Sequence, residues 1–200
     1  MASVMERTAW GPWPDRVRLP LAFDPAPLAA DLAALEREAW TRHFVRDNYE
    51  GEWTALPLRA PAGETHPIRM IGAPILHDGY RDTPLLAAAP AFAALLASFE
   101  CPILSARLMR LGPGSVIREH RDPELLAEDG YARLHVPVAT SPDVDFRLAG
   151  TRVEMAAGSV WYLRLSEPHG VHNRGPSARV HLVFDTQVND WLAALLDAGA

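Results

Sequence analysis

The segment ILSARLMRLGPGSVIREHRD, residues 103–122, contains the pattern that decides the predicted fold. Two short runs of apolar or alternating residues, 103–111 and 115–119, are separated by the turn-forming sequence Gly112-Pro113-Gly114. Similar runs follow at residues 131–138, 144–148, 152–155, 159–165 and 179–186. Many short strands separated by turn residues are typical of an antiparallel sandwich or barrel, including the jelly-roll type.

The residues on either side of this β-rich segment predict helices. Asp24 followed by Pro25 is a favourable helix start, and leucines at helical spacing continue the helix to about Trp40. The apolar residues 84–99 predict a pair of short core helices that is broken at Pro90. We therefore expect a single domain, mainly β with flanking helices (α+β). Its predicted parts are a helical or mixed part packing on the core at 1–100, the β core at 101–188 and a closing helix at 189–200.

Composition excludes several function classes. The net charge of −6 argues against a nucleic-acid partner, which needs a basic face. The single cysteine, Cys101, excludes a disulfide framework and a cysteine-rich zinc site. We expect a cytoplasmic protein without a membrane span, because the most apolar stretch is too short to cross a bilayer. All nineteen basic residues are arginine, which rules out Schiff-base chemistry and a P-loop lysine.

Histidine and aspartate residues in the β-rich half are candidate metal ligands. His120 and Asp122 have the period-2 spacing that places both side chains on one face at the end of a strand. Two histidines and one carboxylate form the facial triad of non-haem iron(II) oxygenases, which leaves coordination positions open. The third ligand must come from a distant part of the chain, and His169 and His172 are both candidates.

Arg179 is the candidate anchor for an acidic co-substrate. It follows His169 by ten residues and opens the apolar run 179–186, so on a folded-back pair of strands it can point into the same cavity. A metal that chelates a 2-oxo acid and an arginine that binds the distant carboxylate are the minimum set for a dicarboxylic keto acid.

The stretch from about residue 106 to 188 resembles the aspartyl/asparaginyl β-hydroxylase family, which includes relatives that act on free proline. The matching pieces include Glu119-His120-Arg121-Asp122 and, further along, Pro168-His169-Gly170-Val171-His172-Asn173, which leads into the strand from Arg179 to Asp185. Further matches are Leu111-Gly112-Pro113-Gly114, Tyr131-Ala132-Arg133-Leu134-His135-Val136-Pro137 and Gly158-Ser159-Val160-Trp161-Tyr162.

The resemblance implies a fold and a set of ligands. The family fold is a double-stranded β-helix, a cupin-like jelly roll. The family's ligand is the histidine four residues before the asparagine, which selects His169 over His172. Its Arg-x-His strand implies that Arg133 and His135 also contact 2-oxoglutarate. Asp122 stands in the carboxylate position, as in the free-amino-acid hydroxylases and unlike the vertebrate-type peptide hydroxylases.

The predicted function is therefore that of an iron(II)- and 2-oxoglutarate-dependent dioxygenase. It would use O2 to hydroxylate a C–H bond of a free amino acid or of an aspartyl or asparaginyl residue in a peptide or protein. Tyr49, Trp53 and Arg59 are candidates for a substrate wall, and Arg118, beside the ligands, is a candidate for binding a substrate carboxylate. His43 lies outside the β core and is assigned no role.

Two other functions are compatible with the same residues. A cupin-like metalloenzyme could use this β core and these histidines without a keto acid. A non-catalytic β-sandwich binding module would need no catalytic metal. Arg179 at its spacing is the sequence feature that favours the oxygenase, whereas the oligomeric state and the identity of the substrate stay open.

Overall fold

The computed structural model describes residues 10–72, 79–122 and 126–200, and within these residues two antiparallel sheets face each other. The strands are β1 Arg16–Ala22, β2 Thr41–Arg42, β3 Tyr49–Glu50, β4 Trp53–Pro61, β5 Tyr80–Asp82, β6 Ile103–Leu111, β7 Val116–His120, β8 Tyr131–Ala139, β9 Val144–Leu148, β10 Thr151–Arg152, β11 Ser159–Leu163, β12 His169–Asn173 and β13 Arg179–Gln187. The helices are α1 Pro25–Ala34, α2 Pro67–Gly72, α3 Pro84–Ala87, α4 Pro90–Ala97 and α5 Asp190–Gly199.

From β6 to β13 the chain alternates between the two sheets, with β9 and β10 forming a hairpin within the smaller sheet. The larger sheet has the order β1-β11-β8-β13-β6-β4-β2, with β5 paired to β4, and the smaller sheet has the order β10-β9-β12-β7-β3. The chain therefore winds from β6 to β7, back to β8, across to β9 and β10, and so on to β13, which is the path of a jelly roll. The predicted fold class, mainly β with flanking helices around a jelly-roll core, is confirmed.

The first hundred residues supply strands as well as helices. β1 pairs with β11, and β4 pairs with β6, so both extend the larger sheet. The sequence prediction described this part as helical or mixed, and it missed β1, in which Val17 and Leu19 are buried at alternate positions. The predicted division of the chain into these parts of one domain stays a prediction.

The predicted strands and helices differ from the structure mainly at their ends. Of the predicted run 152–155, only Arg152 lies in a strand, at the end of β10. The strand β12 was not predicted. The first helix ends at Ala34, not near Trp40. Asp24 caps it by accepting a hydrogen bond from the Ala26 N–H at 3.0 Å, and Asn189 caps α5 through the Leu192 N–H, also at 3.0 Å.

The larger sheet is buried on both faces. On β13, Val180, Leu182 and Phe184 face the helices and belong to the main apolar core. Val183 lies on the opposite face, in a second core between the two sheets. Because side chains alternate along a strand, the intervening polar residues of β13 also face the space between the sheets. This inner face holds the candidate site.

No helix among the described residues is long and apolar enough to span a membrane.

Candidate functional site

A cavity of about 240 Å³ lies between the two sheets, and the predicted metal ligands lie on its wall. Its floor is the inner face of the larger sheet, and one side is formed by the ends of β7 and β12. The segment between β2 and β3, which includes His43 and Asn48, lines another side.

Strand pairing brings the two candidate histidine ligands together. His120 is the last residue of β7 and His169 is the first of β12, and the two are register partners in the smaller sheet. Their ring centroids are 4.3 Å apart. The antiparallel pairing of β7 with β12 therefore brings together two histidines that are 49 residues apart in sequence.

The hydrogen bonds of both rings leave the Nε2 atoms free to bind a metal. The Nδ1 atom of His120 lies 2.8 Å from the Arg118 carbonyl oxygen, and that of His169 lies 3.0 Å from the Glu167 carbonyl oxygen. A carbonyl only accepts, so each Nδ1 must carry the proton, and each Nε2 keeps a lone pair. Burial also lowers the pKa of His169, which favours the neutral form that a metal requires.

Asp122 completes the cluster from the chain that leaves β7. Its backbone N–H donates to the Leu165 carbonyl at 2.8 Å, which fixes the position of the residue. Its Oδ1 lies 3.8 Å from the His120 Nε2. One potential ligand atom from each of His120, Asp122 and His169 lies within 4.8 Å of the others. The donor set and the spacing fit one transition-metal ion of the facial-triad type.

His172, the other histidine considered from the sequence, is not part of this cluster. Its Nδ1 accepts a hydrogen bond of 3.1 Å from Arg174, on the exposed side of β12. It is three positions from His169 on β12, so the alternation of side chains places it on the opposite face of the strand, away from the cavity.

Arg179 lies deep in the cavity wall, and none of the described residues supplies a counter-ion to it. It is 4% exposed, and its Nη2 lies 2.8 Å from the His181 Nδ1. Its Nε has no hydrogen-bond partner, and no carboxylate of the described residues forms an ion pair with it. Burial lowers the pKa of Arg179 to about 9. A buried cation without an anion favours binding of an anionic ligand.

His135 faces the same cavity from β8. It is 6% exposed, and neither of its ring nitrogens has a hydrogen-bond partner among the described residues. Burial, with the charge of Arg179 as a second cause, holds the pKa of His135 well below its usual value. The ring is therefore neutral and available for a ligand.

Arg133 is engaged with carboxylates of the protein. Its Nη1 donates to the Asp122 Oδ2 at 2.8 Å, and its Nε donates to the Asp185 Oδ1 at 2.6 Å. Arg107 also reaches the Asp185 carboxylate, at 3.2 Å. Burial alone would raise the pKa of Asp185, but Arg133 and Arg107 outweigh it and hold the pKa well below its usual value.

The aromatic wall contains one predicted residue that lines the cavity and one that supports it. Trp53 lines the cavity and stacks on His43, with ring centroids 3.5 Å apart and an interplanar angle of 12°. Tyr49 is buried behind Trp53 and contacts its ring edge-on, at 5.6 Å. Burial lowers the pKa of His43 to about 3, so this ring is neutral.

Two of the predicted substrate residues lie away from the cavity. A bulge in β4 between Pro57 and Arg59 precedes the point where Arg59 pairs with Asp82, at 2.6 Å. Arg118 is about half exposed and binds Glu50 at 2.8 Å and the Asp47 carbonyl at 2.6 Å. The structure therefore does not bring these two arginines to the candidate site.

Sequence reasoning missed His43, Arg107 and Asp185. Arg107 and Asp185 are charged residues inside apolar strands, at positions that the period-2 pattern assigns to the inner face. That pattern was the available signal for both. His43 had none, because its place beside the cavity depends on how the segment before β3 folds over β4.

Comparison with known proteins gives one family match over most of the chain. The model of the aspartyl/asparaginyl β-hydroxylase family matches residues 27–188. The chain is also 28% identical over 167 residues to an L-proline cis-4-hydroxylase of Rhizobium meliloti. That alignment covers 82% of this chain but only 57% of the relative, so the chain spans little more than half the relative's length.

Solved structures share the fold at low sequence identity. HygX from Streptomyces hygroscopicus, with nickel and 2-oxoglutarate bound, superposes with a TM-score of 0.53 at 16% identity, covering 88% of this chain and 84% of that one. A 2OG-Fe(II) oxygenase family oxidoreductase from Burkholderia pseudomallei gives a TM-score of 0.52 at 17% identity, covering 86% and 85%. At these identities the likeness concerns the fold alone.

Proposed function

Because the chain belongs to the aspartyl/asparaginyl β-hydroxylase family, we propose that it is an iron(II)- and 2-oxoglutarate-dependent dioxygenase. It hydroxylates a C–H bond of an amino acid or of an aspartyl/asparaginyl-type residue, with O2 as the oxidant. Iron(II) with 2-oxoglutarate supplies the activation of dioxygen and the attack on the C–H bond. The protein supplies the ligands, the orientation of the co-substrate and a cavity shielded from water.

In this proposal His120, Asp122 and His169 hold the iron. The observations in favour are the three ligand atoms within 4.8 Å and the two Nδ1 protons bound to backbone carbonyls. Those bonds orient each imidazole and raise the basicity of its Nε2. Three protein ligands leave open positions for a chelating keto acid and for O2.

The observation that carries the keto-acid assignment is the buried Arg179, which has no ion-pair partner among the described residues and lies in the same cavity as the three ligands. Its planar guanidinium suits bidentate binding of the distal carboxylate of 2-oxoglutarate. His135 can add a hydrogen bond, since neither of its nitrogens has a partner among the residues that the structure describes. Arg133 lies in the same wall, where its charge favours a bound dianion. A metalloenzyme that used no acidic co-substrate would have no use for a buried arginine without a counter-ion.

The substrate is small in this proposal. A cavity of about 240 Å³ is at the lower end for ligand sites, and the keto acid takes part of it. The name of the Rhizobium meliloti relative makes free L-proline the first substrate to test, followed by other free amino acids and peptides containing aspartate or asparagine. Trp53 and the neutral His43 form the aromatic side of the substrate space.

We also propose that the 200 residues act as one domain in the cytoplasm. The lone cysteine, which is buried and unpaired, is consistent with a reducing compartment. Limited proteolysis that leaves the chain intact up to its unfolding temperature would support the first point, and fractionation of the producing cells tests the second.

Anaerobic difference spectroscopy tests the cofactor pair directly. Iron(II) is added to the purified protein, followed by 2-oxoglutarate. Chelation of the metal by the keto acid should produce a weak charge-transfer band at about 500–530 nm. Asp122→Ala should lose the band. His172→Ala is the matched control and should keep it, because this histidine lies outside the cluster.

Two outcomes would contradict the proposal. Iron that binds without a band when the keto acid is added would favour the cupin-like metalloenzyme. A protein that binds no metal would favour the binding module. With the band established, 2-oxoglutarate-dependent formation of succinate and of a hydroxylated amino acid, detected by mass spectrometry, identifies the substrate.

A further inference from the structure

Asp122 needs support from outside the metal cluster. It lies beyond the end of β7, and its side chain is 33% exposed, so the strand itself does not fix the direction of the carboxylate. The Arg133 guanidinium binds its Oδ2 at 2.8 Å, while its Oδ1 lies toward His120. Arg133 therefore occupies one carboxylate oxygen and leaves the other toward the histidines.

Arg133 is in turn held by Asp185. Asp185 on β13 is the register partner of Arg133 on β8 and of Ser105 on β6, so the three side chains lie in one row across the larger sheet. The Arg133 Nε and Nη2 donate to the two Asp185 oxygens at 2.6 and 3.1 Å. This bidentate pair fixes the plane of the guanidinium, and the third nitrogen points to Asp122.

The charge of Asp185 is itself compensated within the sheet. The carboxylate is 2% exposed and accepts hydrogen bonds from Ser105 at 3.0 Å and from Arg107 at 3.2 Å. A buried carboxylate with this many donors stays ionised and rigid. The Asp185 carboxylate is therefore held in one position on β13, the central strand of the larger sheet.

We propose that Asp185 is a positioning residue for the metal centre, acting through Arg133 on Asp122. This inference rests on the metal ligands of the proposed function. Asp185 touches neither the metal nor the co-substrate. It fixes the guanidinium that holds one oxygen of Asp122, so that the other oxygen is presented to the metal as a single ligand atom. The rigid larger sheet thereby orients a ligand that stands on an exposed end of the smaller sheet.

We call this chain of contacts, from Asp185 through Arg133 to Asp122, the relay. A double-mutant cycle on metal binding tests it. The variants are Asp185→Asn, Arg133→Met and the two combined, and the measurement is Co(II) affinity by calorimetry without any keto acid. Each single variant should bind Co(II) about 10- to 100-fold more weakly, the usual loss when a partner of a metal ligand is removed. The combined variant should be no weaker than Arg133→Met alone, because Asp185 acts through that residue. The visible Co(II) spectrum should change in the same way in all three variants.

Asp145→Asn is the matched control. Asp145 is another buried aspartate with two arginine partners, Arg147 at 3.2 Å and Arg174 at 3.3 Å, but it lies on the smaller sheet and does not contact Asp122. Its replacement should leave the Co(II) affinity unchanged even if the protein becomes less stable.

Three results would overturn the relay. They are wild-type Co(II) affinity in Asp185→Asn, losses in the two single variants that add in the combined variant, and an equal loss in Asp145→Asn. If Asp185→Asn does not fold, the test uses Arg133→Met alone, because this variant keeps the Asp185–Arg107 pair. Wild-type Co(II) affinity in Arg133→Met then refutes the relay. A failure of the proposed function is distinguishable, because it appears in the wild-type protein as no metal bound or no response to 2-oxoglutarate.

Discussion

Replacing Arg179 by methionine should weaken 2-oxoglutarate binding strongly while leaving metal binding intact. The side chain is 4% exposed and pairs with no carboxylate in the described part of the chain, so the co-substrate is the expected counter-ion. Removing one partner of a buried, hydrogen-bonded charge pair costs about 2–5 kcal/mol. At 1.4 kcal/mol for each tenfold change, the dissociation constant of 2-oxoglutarate should rise by about 30-fold to several thousand-fold.

The same substitution should stabilise the protein in the absence of ligand. Burial lowers the pKa of Arg179 from 12.5 to about 9, which corresponds to up to about 5 kcal/mol of disfavoured charge. Methionine has a similar length and no charge. Replacing a buried ion by an apolar side chain commonly raises the free energy of unfolding by about 1–4 kcal/mol. An apo variant that melts above the wild type is therefore expected.

Two assays test the expected loss of 2-oxoglutarate affinity and the expected gain in stability. Titration of 2-oxoglutarate into the iron(II) protein, followed by the charge-transfer band, gives the affinity, and calorimetry of both apo proteins gives the stability. Arg59→Met is the matched control, because Arg59 is paired with Asp82 outside the cavity and should change neither quantity by much. Unchanged keto-acid affinity in Arg179→Met, or a variant that is less stable than the wild type, would refute the reasoning from an unpaired buried cation.

Further predictions concern the ligands, one glycine and pH. His169→Ala should lose bound iron(II), measured by metal analysis after gel filtration, while His172→Ala should retain it; equal losses would contradict the choice between the two histidines. Gly170→Ala should lower the free energy of unfolding in urea by about 1–3 kcal/mol, because the added Cβ would lie 3.0 Å from the Ile117 carbonyl oxygen and 3.3 Å from the Glu119 nitrogen. The folded pKa of Arg179, about 9, lies below its unfolded value, so the cost of burying the charge is fully present below pH 9 and is relieved as pH rises above it. The charge that binds the keto acid is lost over the same range, so 2-oxoglutarate affinity should fall about tenfold per pH unit above pH 9, and a flat profile to pH 10 would count against Arg179.

The β core was predictable because its local signals agree with its tertiary environment. Runs such as 103–111 and 144–148 combine strand-forming residues with turn sequences at both ends, and β6 and β9 have those bounds. β12 was missed because its five residues, HGVHN, contain only one apolar residue. It is a strand through its pairing with β7 and β9 on both sides, which no local propensity encodes.

The candidate site was predictable to the extent that it depends on strand periodicity. The two-residue spacing places His120 and Asp122 at the same end of β7, although Asp122 lies beyond the strand and its carboxylate is held by Arg133. Arg179 faces the cavity because it stands at an inner-facing position of β13, on the sheet opposite the two histidines. Arg59 lies outside the cavity because a bulge in β4 changes the local alternation, and a bulge is set by pairing with β6. His43 could not be found because its position comes from a ring stack with Trp53, which no spacing in sequence predicts.

Among three buried arginines of the cavity, Arg179 alone has no carboxylate partner in the described part of the chain. Arg107, Arg133 and Arg179 all project from the larger sheet into the same cavity, and lysine is absent from the chain. Asp185 pairs with the first two, which hold its pKa low, and Arg133 pairs with Asp122 as well. Arg179 is two strand positions beyond His181 and six from Asp185, which is too far along β13 for that carboxylate to reach. One aspartate therefore pairs with Arg107 and Arg133, and Arg133 in addition binds the proposed metal ligand Asp122. Arg179 has no carboxylate partner among the described residues, so it stays available for an acidic co-substrate.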